Sequence, residues 1–234
     1  DRVGGQVLLA AKGAGRDEFG VLVRNERGRL DQVGVKVVLG TDVTADLVAE
    51  VAPDAVIVAT GSRPKACPAA GADGPAVFNV WQALEDEADL GERVALIDYD
   101  GHHQATATAE TLADRGKKVH VVTSSLFVGA ELGPSQDLYL TRQRLLQKGV
   151  TFTPDFAVME IKGTEINGFD VYSNEWSTLG PYDSVITAMG NDADDGLYFA
   201  LKGSVEELYR VGDCVAPRKV DMAILEGYRA GKRV

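Results

Sequence analysis

The chain has 234 residues, 45% hydrophobic and 25% charged, the balance of a globular protein with a substantial core in one large or two small domains. Its net charge of −11 weighs against duplex nucleic acid or an anionic membrane surface as a partner. No apolar run is long enough for a transmembrane helix and no signal peptide opens the chain; Cys67 and Cys214 lack the spacing of a disulfide framework, zinc site or iron–sulfur cluster, so a reducing cytoplasm is the expected compartment.

In chain order, "GGQVLLAAKGAGRDEFGVLVRNERGRLDQ" predicts a helix or two, followed by a strand over Val35–Leu39. Ala55–Ala59 is a continuous apolar, β-branched run, the mark of a strand buried on both faces, and it stops at Thr60-Gly61 and Pro64. "PAVFNVWQALEDEADLGER" reads as a connector with a short helix, its acidic cluster Glu85–Asp89 forming a solvated face. A strand over Val94–Ile97, a helix over His102–Arg115 and a strand over Val119–Val122 make a βαβ unit. A helix over 137–150 follows, stopped at Gly149. Three short strands come next, Thr151–Pro154, Ala157–Ile161 and Phe169–Ser173, with "NG" at 167–168 as a turn signal. "YDSVITAMG" and "ELYRVGDC" are further glycine-ended strands, and Asp221–Ala230 is helical. Strands alternating with helices predict an α/β architecture with parallel sheets.

Two local features imitate functional motifs. "GAGRDEFG" at 13–20 offers G-x-G but follows a helix-like run, so a flexible loop is expected there. His102 and His103 are neighbours on a helix and point about 100° apart, which does not converge on a metal. No motif for a catalytic nucleophile and its base is present.

Three strands end in turns that leave backbone amides at the carboxyl edge of a sheet: "AVIVATGSRP", "SVITAMGN" and "LYRVGDCVAP". Open α/β sheets place their ligands along that edge. In "VGDC" a carboxylate follows the glycine, where it can accept hydrogen bonds from sugar hydroxyls, and the downstream helix presents its N-terminus to phosphate.

Together these segments resemble the two-dinucleotide-domain flavoprotein fold of the glutathione reductase type. "GGQVLLAAKGAGRDEF", "PDAVIVATGSRP", "VALIDYDGHHQATATAETLADRGKKVHVVT" and "LYRVGDCVAPRKVDMAILEGYRAG" are similar to the C-terminal portion of the trimethylamine dehydrogenase and 2,4-dienoyl-CoA reductase group. The "D-x-D-G-H" turn followed by "AETLA" points to the amine dehydrogenase branch. The resemblance implies two Rossmann-like domains, one inserted in the other, with an antiparallel β-meander. The FAD/ADP-binding-like domain would take 1–88 and 182–234, its first βαβ lying outside the chain, and the NAD(P)-binding-like domain would take 89–181. It implies FAD or ADP beside Gly4, Gly5, Gln6, Ala59, Thr60, Gly61, Ser62, Gly212 and Asp213, with Val43 flanking the adenine. It implies FMN and a 4Fe-4S cluster in an N-terminal part, an electron-acceptor protein of the electron-transfer flavoprotein kind as partner, and a homo-oligomer. Both ends read as cut, so a portion of a larger protein is expected, with no catalytic residue of its own.

At 98–103, where a working nucleotide fingerprint needs glycines, the sequence has Asp98, Asp100 and His103. Two carboxylates occupy the pyrophosphate position, themselves suiting the positive end of the following helix. The second strand ends in Thr123-Ser124-Ser125, with no ribose-reading acid and no arginine for a 2′-phosphate. A self-satisfied helix start that does not bind NAD(P) is the expectation. The alternatives are an FAD- and NAD(P)H-binding portion of a dienoyl-CoA reductase-like enzyme, and a non-binding assembly domain.

Overall fold

The computed structural model describes residues 2–85 and 88–234. The acidic face expected over Glu85–Asp89 falls partly on Asp86 and Glu87, which lie outside the described residues. Helices α1 (Gly5–Ala10) and α2 (Glu18–Gln32) open the chain. In α3 (Ala45–Val51) the Thr44 side chain accepts the Leu47 amide as an N-cap, a signal unused in the sequence reading. Strands β1 (Ala55–Val58), β2 (Ser62–Pro64) and β3 (Val77–Asn79) precede α4 (Val80–Glu85). There the Asn79 side chain accepts the Trp81 and Gln82 amides, while Gln82 accepts the Asn79 amide, a reciprocal cap. The chain continues through β4 (Arg93–Asp98), α5 (His103–Asp114), β5 (Lys118–Val122), α6 (Leu138–Gln147) and β6 (Thr151–Thr153). It then forms β7 (Phe156–Lys162), β8 (Glu165–Asp170), β9 (Trp176–Leu179), β10 (Ser184–Ala188) and β11 (Asn191–Ala193). Last come α7 (Gly196–Leu201), β12 (Glu207–Arg210) and α8 (Val220–Gly231).

Contacts divide the chain into two compact units. One takes the chain up to Leu8, Gly20–Arg63 and Asn191–Val234; the other takes Leu9–Phe19 and Pro64–Gly190. The second, inner unit is a five-stranded parallel sheet in the order β3-β10-β4-β5-β6. Residues Val94 to Ile97 of its middle strand are all 0% exposed, because both faces are covered. Val94 and Leu96 join a core with Ala105, Ala109 and Leu112 of α5 and Leu145 of α6. Ala95 and Ile97, alternating to the other face, pack with Phe156, Val158, Ile161 and Ile166 of the antiparallel sheet β7-β8-β9.

Four expectations change here. Strand β10 ("SVITA") falls within the expected outer domain, yet it pairs with β3 and β4 inside this sheet. The contact boundaries therefore fall at Arg63/Pro64 and Gly190/Asn191, where the sequence reading drew 88/89 and 181/182. Asn167-Gly168 is not a turn but lies within β8. Gly168 is required by close approach: a Cβ there would lie 2.1 Å from the Ala157 carbonyl oxygen and against the Phe156 ring. The reversals sit on either side, at Gly163-Thr164 and at 171–175, so the third expected strand, Phe169–Ser173, runs off the end of β8. Finally, "GAGR" is not a loose loop. The Ala14 amide donates to Thr111 Oγ1 of α5 at 2.9 Å, and Gly13 lies close enough that a Cβ would touch Ala107.

The outer unit holds two short pairs, parallel β1–β12, from Ala55↔Glu207 to Val58↔Arg210, and β2–β11. Its core gathers Val48, Val58, Leu201 and Cys214. The strand expected over Val35–Leu39 is not formed. A strand needs a ladder partner, and the run has none among the described residues; Val37 and Val38 are 42% and 59% exposed.

Candidate nucleotide site

Within the outer unit, three segments distant in sequence meet through a chain of hydrogen bonds. The start of β2 supplies Ser62, the turn after β12 supplies Asp213, and α1 supplies Gln6. Gln6 Nε2 donates to Ser62 Oγ at 2.9 Å, and Ser62 Oγ lies 3.2 Å from Asp213 Oδ2. Asn191 Nδ2 donates to Gln6 Oε1 at 3.1 Å. Ser62 Oγ also lies 3.1 Å from Gln6 Oε1, so its single proton is shared between Gln6 and Asp213 within one cluster of Asn191, Gln6, Ser62 and Asp213. The other carboxylate oxygen, Oδ1, accepts the Arg218 amide at 3.1 Å. Each Asp213 oxygen thus accepts one bond and retains a lone pair for a ligand hydroxyl. Ser62 is 5% exposed, so water competes little for that link.

The other expected positions surround this cluster unevenly. A Cβ at Gly61 would come within 3.0 Å of Gln6 Nε2. Thr60 Oγ1 donates to the Asp194 carbonyl, the Asp194 amide donates to Gly61 O at 3.0 Å, and Arg63 pairs with the Asp194 carboxylate at 2.9 Å. These bonds pin the turn that carries Ala59 to Ser62. Gly4 and Gly5 open α1 at its N-terminal end, with φ of 118° and 46°. Gly212, buried, has φ of 71° and passes against Ala223 of α8. Val43 is exposed in the segment before α3, and no hydrogen bond among the described residues ties it to the cluster. Asn191, Arg218 and Glu226 were missed from sequence; Glu226 accepts the Gly212 amide at 2.8 Å. Only the "MGN" glycine hinted at Asn191.

The inner unit's equivalent turn is built differently. Asp98, 1% exposed, accepts the Gly101 amide through Oδ1 at 2.7 Å, and among the described residues its Oδ2 has no hydrogen-bond partner. The Tyr99 and Asp100 amides both donate to the Ala188 carbonyl at the end of β10, so the turn folds over the switch point between β4 and β10. Burial raises the Asp98 carboxyl to about 6, against the pull of the Gly101 amide. Burial also dominates over the helix dipole, whose typical benefit of about 0.3–1 kcal/mol is the smaller effect. Asp100 is likewise raised by burial. His103 Nε2 lies 3.0 Å from Asp137 Oδ2, and burial lowers its pKa.

Cys67 is half-buried with its thiol pushed up by burial, and Cys214 Sγ donates toward the Val58 and Val211 carbonyls at 3.2 Å. Among the described residues no group of His, Cys, Asp or Glu is arranged to hold a metal ion, and no helix is long and apolar enough to cross a membrane.

A parallel sheet with crossover helices, joined to a second unit whose strand-end turns gather around a carboxylate, is a Rossmann-like oxidoreductase architecture. The chain belongs to the pyridine nucleotide-disulphide oxidoreductase family, whose model matches residues 7–227. Over 99% of its length it is 28% identical to N,N-dimethylglycine/sarcosine dehydrogenase of Chromohalobacter salexigens, of which it covers 39%. The whole chain superposes on 2-naphthoyl-CoA reductase with a TM-score of 0.92 at 29% identity, covering 35% of that chain. Histamine dehydrogenase from Rhizobium sp. 4-9 shares the fold over 98% of this chain and 38% of its own, with a TM-score of 0.88 at 22% identity. These matches bear out the resemblance to the trimethylamine dehydrogenase and 2,4-dienoyl-CoA reductase group. The chain spans little more than a third of the relatives it matches.

Proposed function

We propose that this chain is the nucleotide-binding and scaffold portion of an FMN- and iron–sulfur-dependent amine dehydrogenase that passes electrons to an acceptor protein. The observation that carries the reading is the cluster that brings Gln6, Ser62 and Asn191 to Asp213 and leaves an acceptor lone pair on each of its carboxylate oxygens. That arrangement suits the hydroxyls of a ribose or ribityl chain, as in ADP or FAD. The residues that would hold the nucleotide are Asp213, Ser62 and Gln6, with the backbone of Thr60-Gly61 and Gly212 allowing close approach. A bound FAD supplies redox chemistry; a bound ADP supplies none and would be structural. The chain's own contribution is to bind and orient. FMN and the cluster have no ligand set among the described residues, and no step is assigned to them.

Calorimetric titration of the full-length protein with ADP and FAD tests the reading. Asp213→Ala is expected to weaken the nucleotide by about 1.5–3 kcal/mol, the worth of a hydrogen bond to a charged group. Unchanged affinity would mean that another carboxylate reads the hydroxyls. The match to 2-naphthoyl-CoA reductase favours a second reading, a flavin reductase acting on a CoA thioester. Turnover of an amine, as against reduction of an unsaturated acyl-CoA, separates the two.

A further inference from the structure

The turn that carries Asp213 is gripped from below by one side chain of α8. Glu226 accepts the Gly212 amide through Oε2 at 2.8 Å and pairs through Oε1 with the Arg218 guanidinium at 2.6 Å. Arg218 also donates its Nε to the Ala216 carbonyl at 3.0 Å and its backbone amide to Asp213 Oδ1 at 3.1 Å. The loop from Gly212 to Arg218 is thus a closed ring, with Glu226 bonded to both ends and Asp213 set inside it. Little slack remains, since a Cβ at Gly212 would lie 3.3 Å from Ala223 Cβ, one helical turn before Glu226. From the geometry we propose that Glu226 is a positioning residue for Asp213 and sets what the turn recognises.

Its effect has two parts. Tying Gly212 to Arg218 fixes the backbone from which the Asp213 carboxylate projects. It also uses up the Gly212 amide, which would otherwise be a donor for phosphate, while its own charge is balanced by the Arg218 guanidinium. A turn that keeps the Asp213 carboxylate and lacks that donor favours neutral hydroxyls over phosphate. The Gly212 amide and then Arg218 hold the Glu226 carboxyl below its ordinary range, so the ring persists as the pH falls moderately. The inference rests on the reading of Asp213 as a reader of nucleotide hydroxyls.

The test is a double-mutant cycle on ADP and FAD affinity, with melting temperature recorded for each variant. Glu226→Ala is expected to weaken binding about tenfold, equivalent to about 1.4 kcal/mol. Glu226→Gln keeps an oxygen for the Gly212 amide and is expected to stay within about threefold, on the order of half that energy. In an Asp213→Asn background Glu226→Ala should cost nothing further, because the residue it positions no longer carries the recognition. A loss of the same size in both backgrounds would mean that Glu226 acts on the fold at large and would overturn the proposal. Should Glu226→Ala fail to fold, Arg218→Ala, which breaks the ring while sparing the backbone amide, runs the same cycle. Normal binding by the unaltered protein with no response to Glu226→Ala overturns this inference alone. No binding of either ligand by the unaltered full-length protein overturns the nucleotide reading and this inference with it.

Discussion

The turns after β4 and after β12 both follow a parallel strand and both carry an aspartate, yet they spend it in opposite ways. Asp98 points inward, is 1% exposed, and has one oxygen bonded to its own turn and the other to nothing among the described residues. Asp213 is half-buried, with one bond on each oxygen and capacity left over. The first carboxylate closes its turn; the second leaves its turn receptive. Whether a strand-end acid recognises a ligand therefore depends on which partners reach it, and those partners come from elsewhere in the chain.

The largest expected effect tests the closed turn. Folded Asp98 keeps its proton up to about pH 6, while an ordinary aspartate releases it near 3.8. The folded state binds that proton more tightly, so this residue's contribution to stability grows as pH falls from about 6 to about 4. By linkage it is lower by about 3 kcal/mol at pH 7. Asp98→Asn, which carries no charge to bury, is expected to gain up to about 3 kcal/mol at neutral pH and to lose that advantage near pH 4. Urea melts at pH 4, 5.5 and 7 measure it. A variant less stable than the parent at pH 7 would show that the buried oxygen is satisfied in a way a neutral amide cannot match.

A smaller effect separates the two turns directly. Gly101 and Gly212 have φ of 68° and 71°, and a Cβ would meet Glu131 Cγ at 3.1 Å or Ala223 Cβ at 3.3 Å. Alanine at either position should cost about 1–3 kcal/mol of stability through backbone strain. Only Gly212→Ala should also weaken ADP or FAD. Equal loss of nucleotide affinity from both would erase the distinction between the turns.

The smallest expected signal is none. Titrating the protein with NADH and NADPH should give no saturable heat, because two carboxylates and the bonds to Ala188 fill the β4 turn. Micromolar binding abolished by changing Gly101 or Thr123 would reopen it.

Much of the inner unit was legible because its signals are local. Val94–Ile97 is apolar on both faces, and the Ala-rich stretch of α5 between two strand-like runs reads as a helix, so strand and helix fell within a residue or two of their places. Val35–Leu39 has the same composition as a strand, but composition cannot provide a ladder partner. Asn167-Gly168 looked like a hairpin turn because the sequence does not reveal the Phe156 ring that presses on Gly168. The same limit applied at the candidate site. "ATGSRP" and "VGDC" announced Ser62 and Asp213 through their glycines, whereas Asn191 is marked only by the glycine of "MGN" and Glu226 carries no local mark. Their roles exist only once β11 and α8 are in place.

The strand order of the inner sheet also constrains how the polypeptide acquires its shape. Strand β10 lies between β3 and β4, with Val185 opposite Val77 on one side and Ala95 on the other. On a ribosome, β4, α5, β5, α6 and β6 can assemble from neighbours as they emerge. Residues 77–79 have no hydrogen-bonded place in the sheet until Ser184–Ala188 arrives more than a hundred residues later. Pairing of such long sequence separation is slow, and the apolar edge of β4 stays open meanwhile. The last strand inserted is thus the one that joins the connector to the nucleus, and the time before its arrival is when a nascent chain most needs a chaperone.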